Sequence, residues 1–133
     1  TADGKKVETT QSGVPGTHPW MWWDADLLRE TITRSGNNGD RNSGRWTQSV
    51  WKWKGETLTE DIEGSILMTA DIDGDWREEI ITALPGELRV YRTAIPARDR
   101  RVTLMQDPLY RSYIMHGSMG YPQSPVTSYY LGE

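Results

Sequence analysis

A chain of 133 residues with 15 basic against 19 acidic side chains has a net charge of -4 and is long enough for one domain with a modest core, too short to hold several. The two signs are interspersed, so neither nucleic acid nor a membrane surface is an expected partner, and no apolar run approaches the length of a bilayer span. Cysteine is absent, which excludes disulfides and thiolate metal sites and leaves oxygen ligands, or His18 and His116, for any metal.

In chain order, Thr1 to Pro19 is rich in Gly, Thr, Ser and Pro without hydrophobic periodicity and predicts a loop-rich segment. Thr1 to Asp26 lacks the basic and apolar regions of a signal peptide, and a mature N-terminus or a piece of a longer chain is the expectation. Short alternating or apolar runs at Leu27–Ile32, Ser49–Trp53, Ser65–Ala70, Glu79–Ala83 and Leu88–Arg92 predict strands, with a loop over Arg34–Arg45. Pro85-Gly86 predicts a hairpin between the last two strands. Asp107-Pro108 has the form of a helix start, carboxylate cap then proline, and predicts one short helix over about Pro108–His116. The prolines of YPQSPVTSYYLG predict an extended tail. Seven Trp and six Tyr with no Phe give every aromatic ring a polar handle, suited to stacking on sugars as well as to core packing.

An internal repeat organises the acidic residues. WDADLLRETI from Trp23 aligns with IDGDWREEII from Ile72, placing Asp24 on Asp73, Asp26 on Asp75, Glu30 on Glu79 and Ile32 on Ile81, an offset of 49 residues (73 minus 24). That offset suits a propeller blade or a similar repeat of roughly 40–50 residues. Asp71, Asp73 and Asp75 alternate, Gly74 permits a sharp turn and Glu79 follows, a pattern of hard oxygen ligands that suits calcium without matching an EF-hand. Asp24, Asp26 and Glu30 repeat part of it, with Ala25 for the glycine. The competing role for all seven carboxylates is turn capping by bonds to backbone amides.

Three stretches, WWDADLLRE (Trp22–Glu30), ADIDGDWREEII (Ala70–Ile81) and LRVYRTAIPARDRRVTLMQDPLYR (Leu88–Arg111), followed by GYPQSPVTSYYLG, resemble the bacterial rhamnogalacturonan lyase family. The resemblance implies an all-β fold: a partial β-propeller of roughly two to three blades of a larger eight-bladed one, with one short helix near the C-terminus, residues 1–133 forming its C-terminal portion. It also implies calcium (Ca2+) as cofactor, rhamnogalacturonan I of the plant cell wall as substrate, the remaining blades of a parent chain as partner, and a secreted or periplasmic setting. The implied activity is β-elimination, served in the family by an Arg, a Lys and a Tyr. Tyr121 falls where the family's Tyr is expected; the Arg is expected upstream of Thr1; the lysine is missing from DIEGSILMT (Asp61–Thr69), where Glu63 lies closest. A non-catalytic, calcium-stiffened polysaccharide-binding or structural propeller module is the alternative, and an adhesion propeller recognising protein a third. Among the other polar residues, Arg77 and Glu78 are expected to form a structural ion pair, His116 to sit on a helix face or in the core, His18 to lie on a surface loop, and Ala97–Arg101 to make a solvated basic turn in preference to a seat for an anionic sugar chain.

Overall fold

The structure, a computed structural model, describes residues 3–5, 19–24, 26–34, 47–53, 55–120 and 123–131. Strands β1 (Trp20–Met21), β2 (Glu30–Arg34), β3 (Thr47–Trp51) and β4 (Thr57–Glu63) form one antiparallel sheet in the order β1-β2-β3-β4. Strands β5 (Ser65–Ala70), β6 (Glu79–Leu84) and β7 (Glu87–Tyr91) form a second, in the order β5-β6-β7. A 3-10 turn, Leu104–Gln106, leads into helix α1, Pro108–Ser118. The class is therefore all-β with one short helix, and among the described residues both sheets are open, neither closing on itself nor completing a ring.

Most strands follow the predicted pattern. β5 has the expected bounds, and Pro85-Gly86 closes β6 onto β7 with Leu84 facing Glu87. Gly86, at φ 77, takes the left-handed position that the preceding proline cannot. The helix starts as expected: Asp107 accepts from the Leu109 amide at 2.9 Å and Pro108 follows it. Several boundaries move: residues 27–29 lie outside β2 while Thr33 and Arg34 belong to it, β3 begins at Thr47, β6 runs to Leu84, β7 spans Glu87–Tyr91 and the helix continues to Ser118. Residues 52 and 53 likewise fall outside β3, in the turn that the Gly55 amide closes on the Lys52 carbonyl. β4 escaped prediction because TLTEDIE is polar and buries only Ile62 fully; Asp61, at φ 60, forms a bulge where the β3–β4 register shifts. The tail residues described, 123–131, contain no helix or strand.

Apolar residues from both sheets meet in one core, Met21, Trp23, Ile32, Val50 and Ile62 from the first with Ile80 from the second. A second core gathers Trp22, Trp76, Leu104, Tyr110 and Leu131 between the inter-strand loops, the helix and the tail. Only Gly64 separates β4 from β5. At φ 100 it lies so close to β6 that an added Cβ would stand 2.8 Å from the Ala83 carbonyl oxygen and 3.0 Å from Thr82 Oγ1. Gly64→Ala is accordingly expected to destabilise the chain by about 2–4 kcal/mol in urea denaturation, combining left-handed strain with a clash against backbone.

Candidate metal centre

The repeat holds at the level of individual bonds. Glu30 begins β2 and its Oε2 accepts from the amides of Trp23 (2.9 Å) and Asp24 (3.5 Å). Glu79 begins β6 and its Oε2 accepts from Ile72 (2.9 Å) and Asp73 (3.1 Å), the residues in the same repeat positions. Asp26 Oδ1 accepts from the Leu28 amide at 2.7 Å, and its counterpart Asp75 Oδ1 accepts from Arg77 at 3.1 Å. Each loop thus folds round a buried glutamate at the start of the next strand. Burial raises both glutamates to about 7, opposed by the amides they receive and reinforced by the two neighbouring aspartates of each loop.

The loops differ in what neutralises them. In the first, ligand atoms of Asp24, Asp26 and Glu30 all lie within 4.8 Å of one another, and this is the one such group of three among the described residues. Glu30 is fully buried, and its Oε1 accepts no hydrogen bond. An unsatisfied buried carboxylate oxygen beside two further carboxylates fits a hard divalent cation with oxygen ligands, calcium above all. Lys52, from the β3–β4 turn, reaches the same cluster, its Nζ 2.5 Å from Asp24 Oδ2 and in contact with Asp26 Oδ2. These contacts raise the Lys52 pKa, so the side chain is a fixed cation at neutral pH.

In the second loop the acids are committed to other work. Asp71, 1 % exposed, accepts at Oδ1 from the Gly74 amide and at Oδ2 from the amides of Trp76 and Leu104 and the Thr103 hydroxyl. It holds the loop to the segment that enters the helix, and holds Trp76 at φ 71, a conformation bulky residues rarely adopt. Asp73 pairs with Arg92 at 3.3 Å and Asp75 with Arg77. Burial works to raise Asp75, but the Arg77 guanidinium and amide outweigh it and hold the carboxyl below its ordinary value. The better sequence pattern, DIDGD, is therefore the loop whose second and third aspartates pair with separate arginines, and the partial copy WDAD is the one whose carboxylates converge on a shared lysine.

Arg77 and Glu78 do not pair with each other, contrary to expectation. Arg77 serves Asp75 and the Ile95 carbonyl. Glu78, fully buried, accepts from the Trp22 amide at 2.9 Å and the Tyr110 hydroxyl at 2.7 Å, and its own amide donates to the Trp22 carbonyl at 2.7 Å. Burial lifts Glu78 to about 7 against the lowering effect of Arg29, whose guanidinium carbon lies 3.8 Å from the Trp22 ring centroid. Tyr110 in turn accepts from the Asp71 amide, so one chain of bonds ties both loops to α1. Nothing in DWREE announces this: the partners lie 56 and 32 residues away.

Tyr121 and His18 lie outside the described residues. His116 stands exposed on α1, one of the expected placements. The basic turn at 97–100 is solvated as expected, but Arg101 turns inward to the Leu131 carbonyl with its guanidinium 5.4 Å from the Trp76 ring centroid. Glu63, nearest to the missing family lysine, is paired with Arg89.

Two open antiparallel sheets, joined by one glycine and each opening on an acidic loop braced by its own glutamate, define a repeat-built all-β domain. The family model "Rhamnogalacturonan lyase family 11, C-terminal domain" matches residues 1–133, and the chain belongs to that family. It is 37 % identical to the rhamnogalacturonan endolyase YesW of Bacillus subtilis (strain 168) over 137 residues, covering 100 % of this chain and 22 % of the relative. It is 34 % identical to the rhamnogalacturonan exolyase YesX of the same organism over 142 residues, covering 99 % and 23 %. The crystal structure of the exotype lyase YesX superposes with a TM-score of 0.69 at 32 % identity, over 85 % of this chain and 20 % of that one. The chain spans about a fifth of the length of the curated relatives it matches.

Proposed function

We propose that this chain is the C-terminal part of a calcium-requiring lyase that cleaves rhamnogalacturonan I by β-elimination. The observation that carries the reading is a family match from the first residue to the last, with relatives that are themselves rhamnogalacturonan lyases. The two sheets act as successive blades of a propeller, a reading supported by their sequential strand order and by the loops that repeat bond for bond. A polymeric cell-wall substrate supports a secreted or periplasmic setting.

In the reaction the C5–H bond of the uronate breaks, a C4=C5 double bond forms, and the C4–O4 bond breaks with a proton delivered to the departing oxygen. Tyr121 is the residue of this chain assigned to the proton transfer, and needs cationic neighbours to lower its pKa from about 10. The buried Asp24 and Glu30 and the partly exposed Asp26 would hold calcium, whose concentrated positive charge would offset carboxylate repulsion and stiffen the β1–β2 loop. Asp71 braces the second loop, and Glu78 fastens both loops to the helix.

Replacing the matched segment of the Bacillus endolyase with this chain tests the catalytic reading. The folded chimera is expected to release unsaturated uronate products, seen by their ultraviolet absorbance, and to lose that release on Tyr121→Phe. A folded chimera that binds the polymer and yields no product supports the alternative, a polysaccharide-binding module. That alternative is favoured by one observation: residues 61–69 carry no lysine, and Glu63 is held by Arg89. The metal reading has its own test. Calcium at 100 times its dissociation constant is expected to add about 2.7 kcal/mol of stability. Glu30→Gln, which removes the charge but keeps an acceptor for the loop amides, is expected to abolish that gain in a thermal melt with calcium or chelator.

A further inference from the structure

We infer that Lys52 is an exchangeable resident cation of the Asp24, Asp26 and Glu30 cluster, displaced when a divalent ion binds. The inference rests on the metal reading above and adds a mechanism to it. Lys52 Nζ lies 2.5 Å from Asp24 Oδ2 and touches Asp26 Oδ2, and a divalent ion bound by the same oxygens would be repelled by the ammonium. Yet Lys52 does not complete the site, because the buried Glu30 Oε1 remains without a hydrogen-bond donor. An ammonium that satisfies two of three carboxylates leaves an oxygen that a higher-coordinate ion would use.

The side chain is also free to leave. Lys52 sits beyond the end of β3, its side chain is 27 % exposed, and a flexible stem connects the ammonium to the backbone. Its backbone position is fixed independently, by the Lys52 amide on the Glu56 carbonyl at 3.1 Å and the Gly55 amide on the Lys52 carbonyl at 3.0 Å. The second loop offers no such exchange at Asp75. Arg77 there has only 11 % of its side chain exposed, and it is also bound to the Ile95 carbonyl. At the equivalent positions Asp26 and Asp75, one loop therefore carries a removable cation and the other a built-in one.

Calcium titrations of the full chain by calorimetry, with Lys52→Met beside the native protein, test the exchange. Lys52→Met is expected to bind calcium about tenfold or more tightly, the effect of removing one adjacent like charge, and to be the less stable protein only when calcium is absent. Calcium bound equally by both proteins would overturn the exchange while leaving the metal centre standing; calcium bound by neither would remove the centre itself and the inference with it. Should Lys52→Met fail to fold, the native chain still decides the question through amine acylation followed by mass spectrometry. Calcium is expected to speed labelling of Lys52 severalfold and leave Lys5 unchanged, whereas an unaltered Lys52 rate overturns the proposal.

Discussion

Asp71→Ala is expected to cost about 4 kcal/mol of folding stability, the largest loss of any single acidic substitution in either loop. Four donors converge on this carboxylate: the amides of Gly74, Trp76 and Leu104 at 2.9, 3.2 and 2.7 Å and the Thr103 hydroxyl at 2.8 Å. Alanine removes the acceptors and leaves the donors beneath a well-packed surface, where each unsatisfied group costs about 1–3 kcal/mol and the sum is reduced by local relaxation. Trp76 adds to the loss, because its left-handed backbone loses the bond that holds it. Urea denaturation followed by tryptophan fluorescence measures the effect. Any calcium-induced rise in melting temperature should survive in this variant once its lower baseline is taken into account, since the convergent carboxylates are those of the first loop. A loss under about 1 kcal/mol would mean that the four bonds are replaced at no expense, and that the loop is not held as described.

Stability should also fall as pH rises through neutrality, with Glu78 as a principal cause. Its folded pKa of about 7 exceeds the ordinary 4.5, so its favourable contribution is complete below about pH 4.5 and disappears as pH climbs past 7. That interval corresponds to about 3 kcal/mol as an order of magnitude, and Glu30 and Glu79, both near 7, act in the same direction. Glu78→Gln is isosteric and keeps an acceptor for the Trp22 amide, so it should flatten the decline between about pH 5 and pH 8 while leaving the part due to Glu30 and Glu79. Denaturation curves at both pH values for the two proteins would show it. An unchanged slope would place the pH response elsewhere, and calcium should reduce the Glu30 share alone.

How far these features were legible in the residues depends on the range of the interaction. β5, the Pro85-Gly86 hairpin and the Asp107 cap are local, decided within a few positions, and the chain writes them plainly. β4 was hidden because TLTEDIE has one fully buried apolar residue and a bulge that breaks its alternation. The repeat was visible as spacing, and its meaning, two glutamates each collecting the amides of its own loop, follows the same spacing. Invisible was which loop brings its carboxylates together. It turns on Lys52 reaching back 26 residues to Asp26, and on Arg92, 19 residues beyond Asp73. Counter-ions of that kind leave no periodic trace, since any lysine or arginine in a turn has the same appearance in the sequence.

Three consecutive residues sit where the architecture is least divisible. Met21 and Trp23 enter the core shared by the two sheets, while Trp22, between them, enters the core against the helix. Pulling either core apart must drag this tripeptide, and with it one wall of the other, so partial opening forfeits the cohesion of both at once. Sheets that would otherwise melt in turn are thereby made to share a single transition. The adjacent indoles, one in each core, would report that event as simultaneous changes in fluorescence, and a molecule built from repeats would behave in unfolding as though it had none.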